Sequence, residues 1–161
     1  MANLLKVIIS VLYLLQGGSM FCQEGKREKM LELEFLVGDW IGTSTTIENG
    51  DSLTQVSAFE KIRYDLDSTI LVIDLNGALL QLHTIIYYSE TDQTYYYQPF
   101  SKNGTAIYPA TFKDGSLIVQ PSEEKRFVFT LTHDGKFMEY GEKLVNGVWV
   151  KYFEDIFINT Q

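Results

Sequence analysis

The chain has 161 residues, of which 45% are hydrophobic, and a formal net charge of -8 at pH 7. This length is typical of one domain with a core of its own, and the acidic charge disfavours binding to nucleic acid or to anionic membranes. With one cysteine in the whole chain, no disulfide can form within it.

Residues 1–22 are predicted to be a secretory signal peptide. Lys6 provides a basic start, residues 7–15 form an apolar run, and small or polar residues follow at 16–19. The apolar run is shorter than the ~20 residues that a membrane span needs. Cleavage is expected near Gly18 or near Cys22, so the mature domain is taken as residues 23–161.

The sequence around Cys22 disfavours a lipid anchor, because Phe21 stands where a bacterial lipoprotein signal carries a small residue. An exported domain without disulfides is more typical of a bacterial periplasm or exterior than of a eukaryotic secreted scaffold. We therefore expect a periplasmic or secreted protein, with lipid anchoring through Cys22 as the less favoured alternative.

Residues 24–35 are charged but carry apolar side chains on one face, which predicts a short amphipathic helix. After residue 37, runs rich in Val, Ile, Thr, Tyr and Phe alternate with turn sequences such as Asn76-Gly77 and Asp114-Gly115. These runs predict ten strands, over residues 37–48, 52–64, 69–75, 79–89, 94–100, 105–112, 116–120, 126–132, 136–144 and 148–158.

The even spacing of the strands predicts an antiparallel up-and-down meander, in which each strand pairs with the next. Closing the meander into a barrel would remove both exposed edges. The expected fold class is therefore all-β: one antiparallel barrel of about ten strands, with the short N-terminal helix at its closed end. Two packed sheets are the alternative. Ten strands enclose more volume than eight, so an apolar, tyrosine-lined cavity is expected inside.

The predicted helix is followed by Gly38-Asp39-Trp40 and then by Gly42, at the start of the first strand. This arrangement resembles the signature of the lipocalin (calycin) family, in which the Trp packs across the closed end of the barrel and the Gly allows close backbone approach. The chain is similar to bacterial lipocalin-like domains of unknown function, through residues 33–42, a tyrosine-rich hairpin at 86–96, an Asp-Gly turn at 114–115 and Asn-Gly-Val-Trp at 146–149. The resemblance implies a structural role for Gly38, Trp40 and Gly42.

The end of the chain departs from the family pattern. Lipocalin-like barrels commonly carry an Arg in the last strand that stacks over the signature Trp, whereas residues 157–161 contain none. Arg63 or Arg126 could take that place, or Trp40 could pack on aliphatic groups instead.

The sequence shows no pattern typical of a metal site or of nucleophilic catalysis. Its two histidines, His83 and His133, are far apart, whereas structural zinc needs about four ligands at close spacing. A Gly-x-Ser-x-Gly nucleophile sequence is also missing. We therefore expect neither a metal nor a cofactor.

The leading functional expectation is an exported barrel that binds a small, largely apolar molecule in its lumen without chemistry. The candidate polar contacts to that molecule are His83, Tyr97, Arg126 and Tyr140. The sequence identifies neither the ligand nor the oligomeric state.

Two alternative functions remain open. In a calycin-type enzyme, His83 would face the lumen and form a hydrogen bond with a carboxylate such as Glu60 or Glu139. In a structural or interaction protein, the barrel would be filled and its tyrosines would form an exposed docking patch or cross-strand pairs.

Overall fold

The computed structural model describes residues 25–48 and 50–161. The predicted signal peptide, its cleavage point and Cys22 lie outside these residues. In the part of the chain that is described, none of the helices has the length and apolar character needed to cross a membrane.

A short helix, α1, covers residues 25–31 and leads through a 3₁₀ turn at Glu34–Leu36 into a series of strands. The strands are β1 (Gly38–Glu48), β2 (Asp51–Asp65), β3 (Ile70–Gly77), β4 (Gln81–Ser89), β5 (Thr94–Ser101), β6 (Gly104–Thr105), β7 (Tyr108–Lys113), β8 (Ser116–Ser122), β9 (Lys125–Leu131), β10 (Phe137–Val145) and β11 (Val148–Asn159). All ten predicted strands are confirmed. The largest difference is at β7, which was predicted from residue 105 and begins at Tyr108.

Ten of these strands close into one antiparallel barrel. Each strand pairs with the next along the chain, except that β7 pairs with β5 and the two-residue β6 lies outside the barrel against β5. The barrel closes because β11 returns to pair with β1 over Trp40 to Thr46. The predicted up-and-down barrel is therefore confirmed, and the alternative of two packed sheets is wrong.

The two ends of the barrel differ. Helix α1 packs at the end where β1 begins, together with the turns β2–β3, β4–β5, β7–β8 and β9–β10. At this end Met30, Leu33 and Leu36 are fully buried, and their side chains belong to one core cluster with residues from the strands. The cluster closes this end of the barrel, as expected. The connections β1–β2, β3–β4, β8–β9 and β10–β11 lie at the opposite end.

Trp40 lies within the closed end and is 3% exposed. Its indole Nε1 donates a hydrogen bond to the backbone oxygen of Leu36, at 2.8 Å, and its ring packs 5.4 Å from that of Phe137. Arg63 and Arg126 form ion pairs with other residues, Asp74 and Glu142. In the described structure the partner of the tryptophan ring is thus an aromatic side chain rather than an arginine.

The two glycines beside Trp40 permit close contacts. A Cβ on Gly38 would lie 2.8 Å from Nδ2 of Asn159 and 3.0 Å from Nε1 of Trp40. A Cβ on Gly42 would lie 1.9 Å from the backbone oxygen of Ile156 on the neighbouring β11. Gly42 therefore allows β1 and β11 to approach where the barrel closes, a contact that no larger residue permits without a backbone shift.

Candidate ligand-binding cavity

The lumen contains a cavity of about 220 Å³ between the core of the closed end and the opposite end of the barrel. For comparison, an engineered protein cavity of about 150 Å³ holds benzene. The walls are mainly apolar and are formed by Leu75, Leu79, Leu80, Leu82 and Phe153, with Ile73 and Phe129 also in contact. Leu79 and Leu80 are exposed in the β3–β4 connection, so the mouth of the cavity is apolar as well.

Three acidic side chains from three strands line the same cavity. Glu60 comes from β2, Glu139 from β10 and Asp155 from β11. Asp155 lies opposite Glu139 in the β10–β11 register and opposite Ser44 in the β1–β11 register. The closure of the barrel between β1 and β11 thus brings acids together that are far apart in sequence.

The acids interact with one another, and Glu60 and Asp155 are shielded from water. The carboxyl groups of Glu60 and Glu139 are joined by a hydrogen bond, which requires a proton on one of them. Burial, followed by the nearby charge of Asp155, raises the pKa of Glu60 to about 8. Burial and the charge of Glu60 raise the pKa of Glu139 well above its ordinary value. Burial also raises the pKa of Asp155 to about 6, opposed by interactions with the Ser44 hydroxyl and the Thr45 backbone.

Two acceptor atoms of this acidic cluster (Glu60, Glu139 and Asp155) lack a hydrogen-bond partner. They are Oε2 of Glu60 and Oδ1 of Asp155, in side chains of residues that are 1% and 6% exposed. Lys, Arg and His are absent from the described residues that line the cavity. Buried polar atoms are usually paired, so two free acceptors beside an open volume indicate a place where a ligand can bind.

The arrangement does not resemble a preformed metal centre. Over residues 25–48 and 50–161, no group of three or more His, Cys, Asp or Glu side chains is placed to hold a metal ion. What the cavity offers chemically is three carboxyl groups and several hydroxyl groups within a largely apolar lining.

Of the four residues predicted to contact a ligand, Tyr97 lines the cavity. It lies on β5, is 6% exposed, and burial raises the pKa of its phenol. The expectation of a tyrosine-lined cavity is wrong in that Tyr97 is the sole tyrosine among the described lining residues. Other tyrosines form cross-strand pairs instead, such as Tyr87 with Tyr96, whose ring centroids are 5.4 Å apart.

His83 follows Leu82 and precedes Thr84, both of which line the cavity, so its side chain points to the outer face of β4. There its Nδ1 lies 2.6 Å from Oδ1 of Asp74. The arrangement expected of a calycin-type enzyme, with His83 hydrogen-bonded to Glu60 or Glu139 in the lumen, is therefore not the one found.

Arg126 and Tyr140 also lie outside the cavity. The Nε of Arg126 is 2.6 Å from Oε2 of Glu142, and its guanidinium lies 4.4 Å from the ring centroid of Trp149. Tyr140 packs under the ammonium of Lys151, at 4.2 Å from the ring centroid. The structure thus separates these two residues and His83 from Tyr97.

The acidic cluster was missed at the sequence level, although Glu60 and Glu139 were considered as partners for His83. One signal was available: each acid occupies an inward position between residues that the strand period also places inside. These triplets are Ala58-Glu60-Ile62, Phe137-Glu139-Gly141 and Phe153-Asp155-Phe157. A carboxylate within an inward apolar row is unusual enough to indicate a functional position.

Comparisons with known proteins leave the family unassigned. The sequence matches no protein-family model, and no curated protein is significantly similar to it. The fold is a closed ten-stranded antiparallel barrel, an architecture consistent with the lipocalin-like resemblance of residues 33–42.

Proposed function

We propose that this protein is an exported lipocalin-like barrel that binds one small, largely apolar molecule in its lumen without transforming it. The observation that supports this most directly is the cavity, which is walled by leucines and phenylalanines and contains unpaired acceptor atoms. A barrel filled to its axis, as a purely structural role would allow, would leave no such volume. Placement in the lipocalin-like group and export to the periplasm or exterior belong to the same proposal.

Burial of apolar ligand surface would supply most of the binding free energy, at about 25 cal/mol per Å² removed from water. The exposed Leu79 and Leu80 would form an apolar entrance, and the barrel closed by Trp40 would prevent passage through the other end. Non-catalytic binding is preferred because the described cavity lining places no histidine beside the carboxyl groups of Glu60, Glu139 and Asp155.

Blocking the cavity tests this function. In Leu82→Trp, the larger side chain would point into the lumen from β4, whereas in the matched control Gln81→Trp it would point outward from the adjacent position. Native mass spectrometry should detect a small molecule retained by the wild-type protein and by Gln81→Trp but lost from Leu82→Trp. Retention by all three proteins would place the bound molecule outside the lumen.

A further inference from the structure

The acidic cluster at one side of the cavity has no cationic partner in the lining. Glu60, Glu139 and Asp155 lie together there, and no Lys, Arg or His is among the described residues around the cavity. Burying carboxyl groups without a counterion is costly. Apolar residues at these inward positions would give a more stable barrel, so the acids are best explained by something that binds to them.

The free acceptors specify what kind of group would fit. Oε2 of Glu60 and Oδ1 of Asp155 are buried and unpartnered, while the carboxyl of Glu139 and the hydroxyl of Tyr97 line the same volume. A protonated amine carries three N–H donors and no acceptor. It would satisfy the two free acceptors, make a third bond to Glu139 or Tyr97, and supply the missing positive charge.

We propose that the lumen selects small apolar molecules that carry a single protonated amine, with the ammonium bound between Glu60 and Asp155. This inference rests on the proposed lumenal binding function and specifies its ligand class. The apolar part of the ligand would lie against Leu75, Leu82 and Phe153, toward the mouth of the cavity. With a volume of about 220 Å³, the cavity suits a ligand with one aromatic ring and a short alkylamine chain.

The same geometry gives amine binding a defined pH dependence. The titratable groups that line the site are Glu60 on β2, Tyr97 on β5, Glu139 on β10 and Asp155 on β11. An alkylamine stays protonated up to about pH 10. Between about pH 5 and pH 8, the acids are therefore the groups of the site and ligand whose charge changes. Amine affinity should therefore rise with pH over this range, whereas the affinity for a neutral ligand should not.

Three probes of similar shape test the ligand class: 2-phenylethylamine, 2-phenylethanol and phenylacetate. Isothermal titration at about pH 7.5 and pH 5 would give the affinity of the full-length protein for each. We expect the amine to bind at least about tenfold more tightly than the alcohol at the higher pH, as is typical of charge-assisted hydrogen bonds. Phenylacetate should bind weakest. Amine binding should also release a proton from the Glu60–Glu139 pair, which titration in two buffers of different ionisation heat would detect.

Isosteric variants test whether Glu60 and Asp155 cause the preference for an amine over an alcohol. The double variant Glu60→Gln/Asp155→Asn should lower amine affinity to that of the alcohol and leave alcohol affinity within about twofold, which also reports that the cavity is intact. The single variant Asp155→Asn should act in the same direction if the double variant fails to fold. Glu154→Gln is the matched control, because this neighbouring carboxylate points outward and pairs with Lys151; its amine preference should equal that of the wild type.

The outcomes separate this inference from the function on which it rests. An amine preference that the double variant removes supports both. Equal affinity for amine and alcohol, tighter binding of phenylacetate, or a preference that survives Glu60→Gln/Asp155→Asn would overturn the amine assignment and leave lumenal binding in place. If none of the three probes binds the wild-type protein, lumenal binding of small apolar molecules is overturned as well.

Discussion

At the scale of single residues, Glu60 shows how a binding site can oppose stability. Its carboxyl group is almost fully buried, hydrogen-bonded to Glu139, and left with one free acceptor atom. The folded protein must keep this group neutral or accept the free-energy cost of a buried charge. Such a residue is costly for the barrel alone, and under the proposed function a bound amine would offset that cost.

The raised pKa of Glu60 predicts that the protein loses stability as pH rises. The ordinary value is 4.5 and the folded value is about 8, so between these the folded state binds more protons than the unfolded chain. Below about pH 4.5 the Glu60 carboxyl is protonated in both states and does not destabilise the fold, whereas above about pH 8 the full cost of burying its charge applies. Asp155, whose pKa is raised from 3.8 to about 6, acts in the same direction. In urea titrations, the free energy of unfolding of the wild type should fall on the order of a few kcal/mol between about pH 5 and pH 8.

Glu60→Gln should reduce this pH dependence, because an amide of the same shape does not ionise. The control Glu154→Gln removes a carboxylate that is paired on the outer surface and should retain the wild-type slope. A Glu60→Gln variant with an unchanged slope would show that Glu60 does not carry the raised pKa.

Gly42 is a second residue whose role can be tested alone. In Gly42→Ala the new Cβ would meet the backbone oxygen of Ile156 at 1.9 Å, so β1 and β11 would have to separate at the closure of the barrel. We expect a loss of about 2–4 kcal/mol in the free energy of unfolding, measured by chemical denaturation. The neighbouring exposed Thr43→Ala should cost less than about 1 kcal/mol. Equal effects of the two substitutions would contradict the close approach.

At the scale of elements, the N-terminal helix is held against the barrel by polar bonds as well as by its buried side chains. The hydroxyl of Tyr95 donates to the backbone oxygen of Lys29 at 2.7 Å and lies 2.8 Å from Oε2 of Glu32. The hydroxyl of Tyr64 donates to the backbone oxygen of Met30 at 3.0 Å. Two strands that are not neighbours therefore fix the position of α1 over the closed end.

Tyr95→Phe tests this attachment. Removing the hydroxyl leaves its partners without a donor and should weaken helix docking by about 1–3 kcal/mol. Hydrogen exchange measured by mass spectrometry should then be faster than in the wild type in residues 25–36 and unchanged in the strands. In the control Tyr96→Phe, the lost hydroxyl bonds only Asp92 in an exposed position, so exchange in the helix should be unchanged. Equal protection of the helix in both variants would argue that apolar packing alone holds it.

The same elements show what a sequence reveals and what it does not. Asn-Gly and Asp-Gly turns and runs of β-forming residues act locally, so they predicted the strands and their order. The site depends instead on which strands close the barrel and in what register: Asp155 meets Glu139 and Ser44 only because β11 pairs with both β10 and β1. Residue type alone does not reveal which face of a strand points inward, so it did not distinguish Tyr97 from His83, Arg126 and Tyr140.

At the scale of the whole molecule, the two ends of the barrel differ in how tightly their side chains are packed. The end covered by α1 contains the buried aromatic side chains of Trp40, Phe137 and Phe157, and the other end leads into the cavity. Exposed apolar side chains border that open end, including Leu53, Leu79, Leu80, Ile107 and Val148. A barrel packed at one end and hollow at the other can bind a molecule without losing the core that keeps it folded.

The most direct test of a hollow, ligand-binding lumen is a methyl-resolved NMR titration with 2-phenylethanol. We expect saturable shifts in Ile73, Leu75 and Leu82, which line the cavity, and little change in Leu36 and Leu117 of the closed end. The methyls of the exposed Ile41 and Ile158 should also be unaffected. No saturable shift in the cavity methyls, or shifts confined to the closed end or the outer surface, would contradict binding in the lumen.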